Sequence, residues 1–172
     1  MSMQVTTAQD GETRWVVADR IRFLGGLAGA NLELVEVEIP PGSGTPPHSH
    51  ASPELFYVLD GEVTIRHFPV GQAPRTVTAG VGTSVRIDGC APHNYFNESC
   101  KPARMLVLLE PSMTAFFREI GTAEPQAAPD FARIGIAMQR HGIEVLHGAS
   151  PPHVADRPSP GAISGAGRAC RS

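Results

Sequence analysis

Residues 42–61 read GSGTPPHSHASPELFYVLDG, and this stretch decides the fold. Its prolines exclude a continuous helix, and its apolar second half ends in an Asp-Gly pair that is typical of a tight β-hairpin. His48, His50 and Glu54 all occupy even-numbered positions, so in an extended chain their side chains point to one face. The stretch therefore predicts strand-like structure that presents two imidazoles and a carboxylate together.

Short strand-like segments flank this stretch on both sides. Val35, Val37 and Ile39 alternate with two glutamates, which is typical of a half-buried strand. Glycine, proline and aspartate separate the segments. The predicted strands are 14–24 (as one or two strands), 31–39, 53–59, 62–68, 76–78, 83–87, 93–96 and 104–109. Many short strands at close spacing predict an all-β antiparallel barrel or two-sheet sandwich.

Two short helices are predicted beyond the last strand. Ser112 is a suitable N-cap for a helix over 113–120, and Gly121 is suited to end it in a left-handed conformation. Asp130 is a suitable N-cap for a second helix over roughly 131–141, which carries apolar residues along one face.

The chain divides into three parts on this interpretation. Residues 1–111 form the barrel with its N-terminal strands, and residues 112–146 form a helical extension packed on it. Residues 147–172 consist mainly of alanine, serine, proline and glycine. Such a segment buries too little apolar surface to offset its ordering entropy, so we expect it to be disordered.

Composition narrows the classes of partner. The chain has 172 residues and a net charge of -3, which gives no basic surface for nucleic acid. No apolar stretch is long enough to cross a membrane, and the N-terminus lacks the features of a signal peptide. We therefore expect a cytoplasmic protein that binds a small molecule.

A third histidine completes a candidate metal site. His93 begins a short predicted strand about forty residues after the first two histidines. Three imidazoles and one carboxylate suit a divalent transition metal that keeps open coordination positions.

The same residues resemble the two conserved motifs of the cupin superfamily. Gly42, His48, His50, Glu54 and Gly61 match every fixed position of the first motif.

The second cupin motif is matched with two departures. Gly82, His93 and Asn97 are in register. Asp88 replaces the usual proline and Cys90 the usual glycine, which affects the turn before His93 and not the ligand itself. Cys90 fits the role of a small turn residue, and a reactive thiol is the alternative.

The resemblance implies a cupin double-stranded β-helix, or jelly roll, with a metal at the barrel mouth and a short C-terminal helical extension. The implied ligands are His48, His50, Glu54 and His93, and the metal is Fe, Ni, Mn, Co, Cu or Zn. The expected substrate pocket is lined by Val37, Phe56, Val58 and Tyr95.

The extension is similar to that of small cupins of the quercetin dioxygenase-like group. This resemblance implies a metal-dependent dioxygenase acting on a flavonol- or diketone-like substrate, with Glu54 as a ligand and general base. A non-catalytic small-molecule-binding cupin and a redox-silent metal-dependent isomerase are the alternatives. We also expect a homodimer, with strand 14–24 available to extend a partner's sheet.

Overall fold

The computed structural model describes residues 3–146, so the predicted tail at 147–172 lies outside the described residues. This part of the chain forms two antiparallel β-sheets and two α-helices. The strands are β1 (Thr13–Val16), β2 (Asp19–Leu27), β3 (Leu32–Ile39), β4 (His48–Ser49), β5 (Glu54–Asp60), β6 (Glu62–His67), β7 (Arg75–Gly80), β8 (Ser84–Ile87), β9 (His93–Phe96), β10 (Ala103–Leu109) and β11 (Glu144–Val145). A short 3-10 helix, Ala28–Ala30, joins β2 to β3.

The two sheets have the strand order expected of a jelly roll. One sheet runs β1-β2-β3-β10-β5-β8 and the other runs β11-β4-β9-β6-β7. Because β3 and β10, as well as β10 and β5, are neighbours in space but distant in sequence, the connections cross between the sheets. The predicted all-β jelly-roll fold is confirmed.

The core lies between the sheets and follows the alternation of each strand. Val35, Val37 and Ile39 of β3 are buried, while the glutamates between them are only partly so. On β5, Phe56 and Val58 are each 1% exposed. Burial of large apolar side chains on facing strands supplies the main stabilising free energy of such a sandwich.

The helices are α1 (Pro111–Ile120) and α2 (Phe131–Arg140), and they begin differently. The prediction that Ser112 caps the first helix is wrong: the helix begins at Pro111, after Glu110, with no side-chain cap. Proline suits this position because its fixed φ fits the first turn and its missing N–H would be unpaired there. Asp130 caps α2 as predicted, accepting a hydrogen bond of 3.0 Å from the Arg133 backbone N–H.

Gly121 also differs from the prediction. Its φ is -71°, so it ends α1 without adopting a left-handed conformation. A β-carbon there would lie 2.6 Å from both the Phe117 carbonyl oxygen and the Arg14 β-carbon. The position therefore requires glycine because of close packing against β1.

The C-terminal segment returns from the helices to the barrel. β11 pairs with β4 so that Val145 lies opposite His48, and the Leu146 N–H donates to the Pro47 carbonyl at 2.9 Å. The helical extension is thereby hydrogen-bonded to the strand that carries His48. No helix within residues 3–146 has the length and apolar character to cross a membrane.

Candidate metal centre

The four predicted ligands come from both sheets and meet in the barrel interior. His48 and His93 lie directly opposite each other on β4 and β9, and Glu54 begins β5 of the other sheet. His50 lies in the connection between β4 and β5. Their exposed fractions are only 9% for His48, 5% for His50, 7% for Glu54 and 1% for His93.

The imidazole rings are clustered tightly enough to share one ion. One ring nitrogen from each of the three histidines lies within 4.8 Å of the other two. Glu54 is not part of this cluster, which the three histidines form by themselves, but it lies beside it: its Oε2 is 3.1 Å from His93 Nε2 and its Oε1 is 3.5 Å from His50 Nε2. Ligand atoms about 2.1 Å from one ion, at right angles to each other, are about 3 Å apart. The spacing is therefore compatible with Glu54 as a fourth ligand.

Backbone carbonyls orient two of the rings. His48 Nδ1 lies 2.9 Å from the Pro46 carbonyl oxygen, and His93 Nδ1 lies 2.8 Å from that of Ala91. Each Nδ1–H donates to its carbonyl, which leaves the Nε2 lone pair directed towards the shared centre, as metal-binding histidines require.

An unsatisfied atom supports a metal at this position. Both ring nitrogens of His50 are buried and have no hydrogen-bond partner. Buried polar atoms are almost always paired, so such atoms call for an explanation. A divalent ion held by the three imidazoles and Glu54 would satisfy one of the two nitrogens, and the donor set fits that ion.

The protonation of the histidines reflects their burial. Burial, with the nearby His93, lowers the pKa of His48 from 6.5 to about 4. Burial likewise lowers the pKa of His50. For His93 burial acts in the same direction, but the hydrogen bond and charge of Glu54 outweigh it and raise the pKa. His48 and His50 are thus held neutral at pH 7, the form that binds metals.

The turn before His93 accommodates the departure from the cupin motif. Cys90 adopts a left-handed conformation with φ of 63°, and its backbone N–H donates to the His50 carbonyl at 2.7 Å. A β-carbon at Gly89 would lie 2.3 Å from the Ala51 carbonyl oxygen. The turn therefore keeps glycine where the backbones approach closely and tolerates cysteine in the left-handed position.

A cavity of about 300 Å³ extends from the ligands to the C-terminal helices. His48, Glu54 and His93 lie at its polar end. Met113 and Phe116 of α1, with Ile134 and Met138 of α2, contribute to its apolar wall. The helices thus cover the barrel mouth and enclose the space in front of the ligands.

Only one of the four predicted pocket residues lines the cavity. Tyr95 lies in the cavity wall, but Val37, Phe56 and Val58 do not. They are buried in the core between the sheets, each 1–2% exposed. The Phe56 ring lies behind the site, with its centroid 6.3 Å from that of His93. Alternation along the strands correctly predicted that these side chains point to the inner face of the sheet. They do not reach the cavity because side chains of neighbouring strands pack around them.

The sequence reasoning missed the residues that α1, α2 and the β1–β2 hairpin contribute to the cavity. The sequence pattern showed that each helix has an apolar face suited to packing. It did not show that these faces cover the open end of the barrel. Nothing in the sequence around Asp19 indicated a functional role for this residue. It lies in the cavity wall, where its Oδ2 accepts a 2.6 Å hydrogen bond from the Tyr95 hydroxyl. Burial raises the pKa of Asp19 although that bond and one from Ser43 oppose the shift.

Comparison with known proteins agrees with this architecture. Residues 35–109 match the family profile described as Cupin domain. A comparison with curated proteins found no match.

Solved structures are also similar to this chain. The polyketide cyclase RemF from Streptomyces resistomycificus is 27% identical, covering 63% of this chain and 80% of its own, with a TM-score of 0.55. An RmlC-like cupin from Shewanella frigidimarina NCIMB 400 is 16% identical, covering 67% and 96%, with a TM-score of 0.54. An oxalate decarboxylase variant from Bacillus subtilis is 18% identical, covering 63% and 30%, with a TM-score of 0.53.

The last two likenesses concern the fold alone. Residues 35–109, less than half of the chain, match the cupin-domain profile, and the strand order of the two sheets is that of a cupin jelly roll.

Proposed function

We propose that this protein is a metal-dependent dioxygenase acting on an apolar substrate with two adjacent chelating oxygens. The observation that carries the proposal is the position of His48, Glu54 and His93 at the polar end of a largely apolar cavity of about 300 Å³. A flavonol or a β-diketone has both an apolar body and a chelating oxygen pair. Such a molecule matches the two ends of this cavity.

The three histidines would hold a divalent ion through one ring nitrogen each, with Glu54 as the fourth ligand. Three neutral imidazoles and one carboxylate leave the ion with net positive charge. When bound, a redox-active ion of the Fe, Ni, Mn, Co or Cu type supplies Lewis acidity towards the chelating oxygens and electron transfer towards O₂, whereas Zn supplies Lewis acidity alone.

The protein side chains bind the substrate and move its proton. When its carboxylate is detached from the ion, Glu54 accepts the proton of the substrate hydroxyl as a general base. Phe116, Ile134 and Met138 exclude water from the substrate body. In a dioxygenation both atoms of O₂ enter the products while carbon–carbon bonds of the substrate are cleaved.

A redox-neutral ring closure is the second candidate. It is favoured by the 27% identity to a polyketide cyclase. Polyketides carry repeated β-dicarbonyl units, so they share the chelating oxygens on which the first proposal depends. The two candidates differ in their need for O₂ and in the metal that supports them.

One experiment separates these functions. Protein purified without chelator is analysed for metals, then loaded with Fe(II), Ni(II), Mn(II) or Zn(II) and incubated with a flavonol, a β-diketone or a linear poly-β-ketone, the last being the substrate that can undergo ring closure. Dioxygenation predicts uptake of one O₂ per substrate consumed. Consumption under nitrogen without O₂ uptake favours ring closure, and binding without consumption refutes both and favours a non-catalytic binding protein.

A pair of variants provides the control. His93→Gln removes a candidate ligand and is expected to lower both bound metal and turnover by at least about tenfold. His67→Gln changes a histidine on neighbouring β6 that is outside the ligand group, and is expected to change neither. Equal metal content in the two variants would contradict the assigned site.

We also propose that the protein forms homodimers. The Trp15 backbone on edge strand β1 already pairs with Thr122, with N–H to carbonyl distances of 2.9 and 3.0 Å, so this edge is partly occupied. Leu55 and Tyr57, 40% and 43% exposed, leave an apolar outer surface on β5 instead. Light scattering that gives only an 18.2 kDa species would refute the dimer.

A further inference from the structure

We infer that Asp19 and Tyr95 form a second polar anchor in the cavity, which binds a substrate hydroxyl remote from the chelating oxygens. This inference rests on the proposed function, because it concerns the substrate of the same cavity. It narrows the substrate class from any apolar chelator to a hydroxylated aromatic one.

The anchor joins one buried and two partly buried polar residues from three parts of the chain. Asp19, at the start of β2, is 4% exposed. Its Oδ2 accepts a hydrogen bond of 2.6 Å from the Tyr95 hydroxyl on β9, and its Oδ1 accepts one of 2.5 Å from the Ser43 hydroxyl. Both Asp19 and Tyr95 lie in the cavity wall.

The carboxyl group has hydrogen-bonding capacity that its neighbours do not use. A carboxylate offers about four lone-pair positions, and two neutral hydroxyls occupy two of them. Among residues 3–146, no lysine or arginine forms an ion pair with Asp19, and its other surroundings include the apolar Val16 and Ile21. A buried carboxyl group with free capacity is costly unless another donor pairs with it. A substrate hydroxyl in the cavity would be that donor.

Tyr95 of the anchor and the candidate ligand His93 lie on the same face of the same strand. Tyr95 follows His93 by two residues on β9, so the two side chains point to the same side of the sheet. The Phe56 ring packs against both, with centroid distances of 6.2 Å to Tyr95 and 6.3 Å to His93. A rigid ring system can therefore engage the ligands and the anchor together without rearrangement of the strand.

The hairpin that carries Asp19 holds a residue in an unfavourable conformation. Val17 lies in the two-residue turn between β1 and β2 with φ of 59°. A β-branched residue rarely adopts this conformation, and such outliers persist where the surrounding structure fixes them, often beside a functional site. Asp19 directly follows this turn and lies in the cavity wall.

The test measures selectivity between two ligands and does not need turnover. The Zn(II)-loaded protein is titrated with a flavonol and with the analogue that lacks one hydroxyl on the ring remote from the chelating oxygens. The wild type is expected to bind the hydroxylated ligand about 10- to 100-fold more tightly, the range for a hydrogen bond to a charged group. Asp19→Ala and Tyr95→Phe are expected to reduce this ratio to within about threefold of unity. Asp19→Asn, which keeps the size and polarity of the side chain, is expected to give an intermediate ratio.

The matched control is Tyr57→Phe, which removes the hydroxyl of the only other tyrosine, on the outer face of β5. It is expected to keep the wild-type ratio, and all variants are expected to retain bound zinc. A ratio near unity in the wild type, or one that Tyr95→Phe leaves unchanged, overturns the anchor while the proposed function stands. Failure of the wild type to bind either flavonol overturns both the anchor and the flavonol substrate class.

Discussion

Protonation of His48 is expected to destabilise the metal-free protein in mild acid. In the folded chain burial, with the nearby His93, lowers the pKa of His48 to about 4, whereas in the unfolded chain it stays near 6.5. Between these two values the unfolded state binds the proton and the folded state does not. The free energy of unfolding is therefore unaffected by His48 above about pH 6.5 and falls as the pH drops towards 4.

The size of the effect follows from the two pKa values. A difference of about 2.5 pH units corresponds to about 3.4 kcal/mol at 1.36 kcal/mol per unit. At pH 4 half of the folded molecules carry the proton, which recovers about 0.4 kcal/mol. We therefore expect His48 to reduce the free energy of unfolding by about 3 kcal/mol between pH 7 and pH 4.

The assay is urea unfolding at pH 7 and pH 4 in the presence of a chelator. His93, whose folded pKa is raised, contributes stability at acidic pH that is lost as the pH rises, so the wild type alone gives a mixed trend. Comparison with His48→Gln isolates the contribution of His48, and the variant is expected to lose about 3 kcal/mol less than the wild type. His67→Gln is the control: it removes a histidine that lies opposite His93 on β6 but is outside the cluster. An identical pH dependence in the wild type and His48→Gln would refute the claim that His48 is held neutral by burial.

Three further outcomes are expected. Cys90→Gly relieves the left-handed strain at φ of 63° and is expected to be about 1 kcal/mol more stable in urea than Cys90→Ala, which retains the strain; equal midpoints would contradict this. Gly44→Ala places a β-carbon 2.2 Å from the Tyr95 carbonyl oxygen and is expected to lower the free energy of unfolding by at least about 3 kcal/mol. In the control Gly80→Ala the β-carbon meets nothing within 4 Å, so the loss of stability in urea unfolding should be far smaller. Addition of Zn(II) at 100 times its dissociation constant is expected to stabilise the wild type by about 2.7 kcal/mol in thermal unfolding, and the same stabilisation in Glu54→Gln would argue against that carboxylate as a ligand.

Much of the fold was predictable because a strand's pattern is local. The alternation in β3 identified a strand without any knowledge of its partners. The hairpin predicted at Asp60-Gly61 is wrong: β5 and β6 are consecutive in the chain, but β5 pairs with β10 and β8 in one sheet and β6 with β7 and β9 in the other. The second motif was also informative despite Cys90, since a departure in a turn leaves the parity of the following strand unchanged. The sequence failed at the first turn of α1, where Pro111 and Ser112 both suit a helix start and only the chain path selects between them.

The sequence alone determined which side chains gather at the centre. The two motifs single out His48, His50, Glu54 and His93. The predicted reason for their meeting, one shared strand face, is wrong: His48 lies on β4, His50 in the connection that follows, and Glu54 on β5 of the other sheet. What only the tertiary structure decided is the space in front of them. The cavity exists because α1 and α2 cover the barrel mouth and because β11 pairs with the strand of His48. These contacts join residues far apart in the chain, and no local pattern encodes which opening an apolar helix face will cover. For the same reason, no local pattern predicts that Asp19 lies beside Tyr95, because the two residues are 76 positions apart in the sequence and meet only in the folded chain.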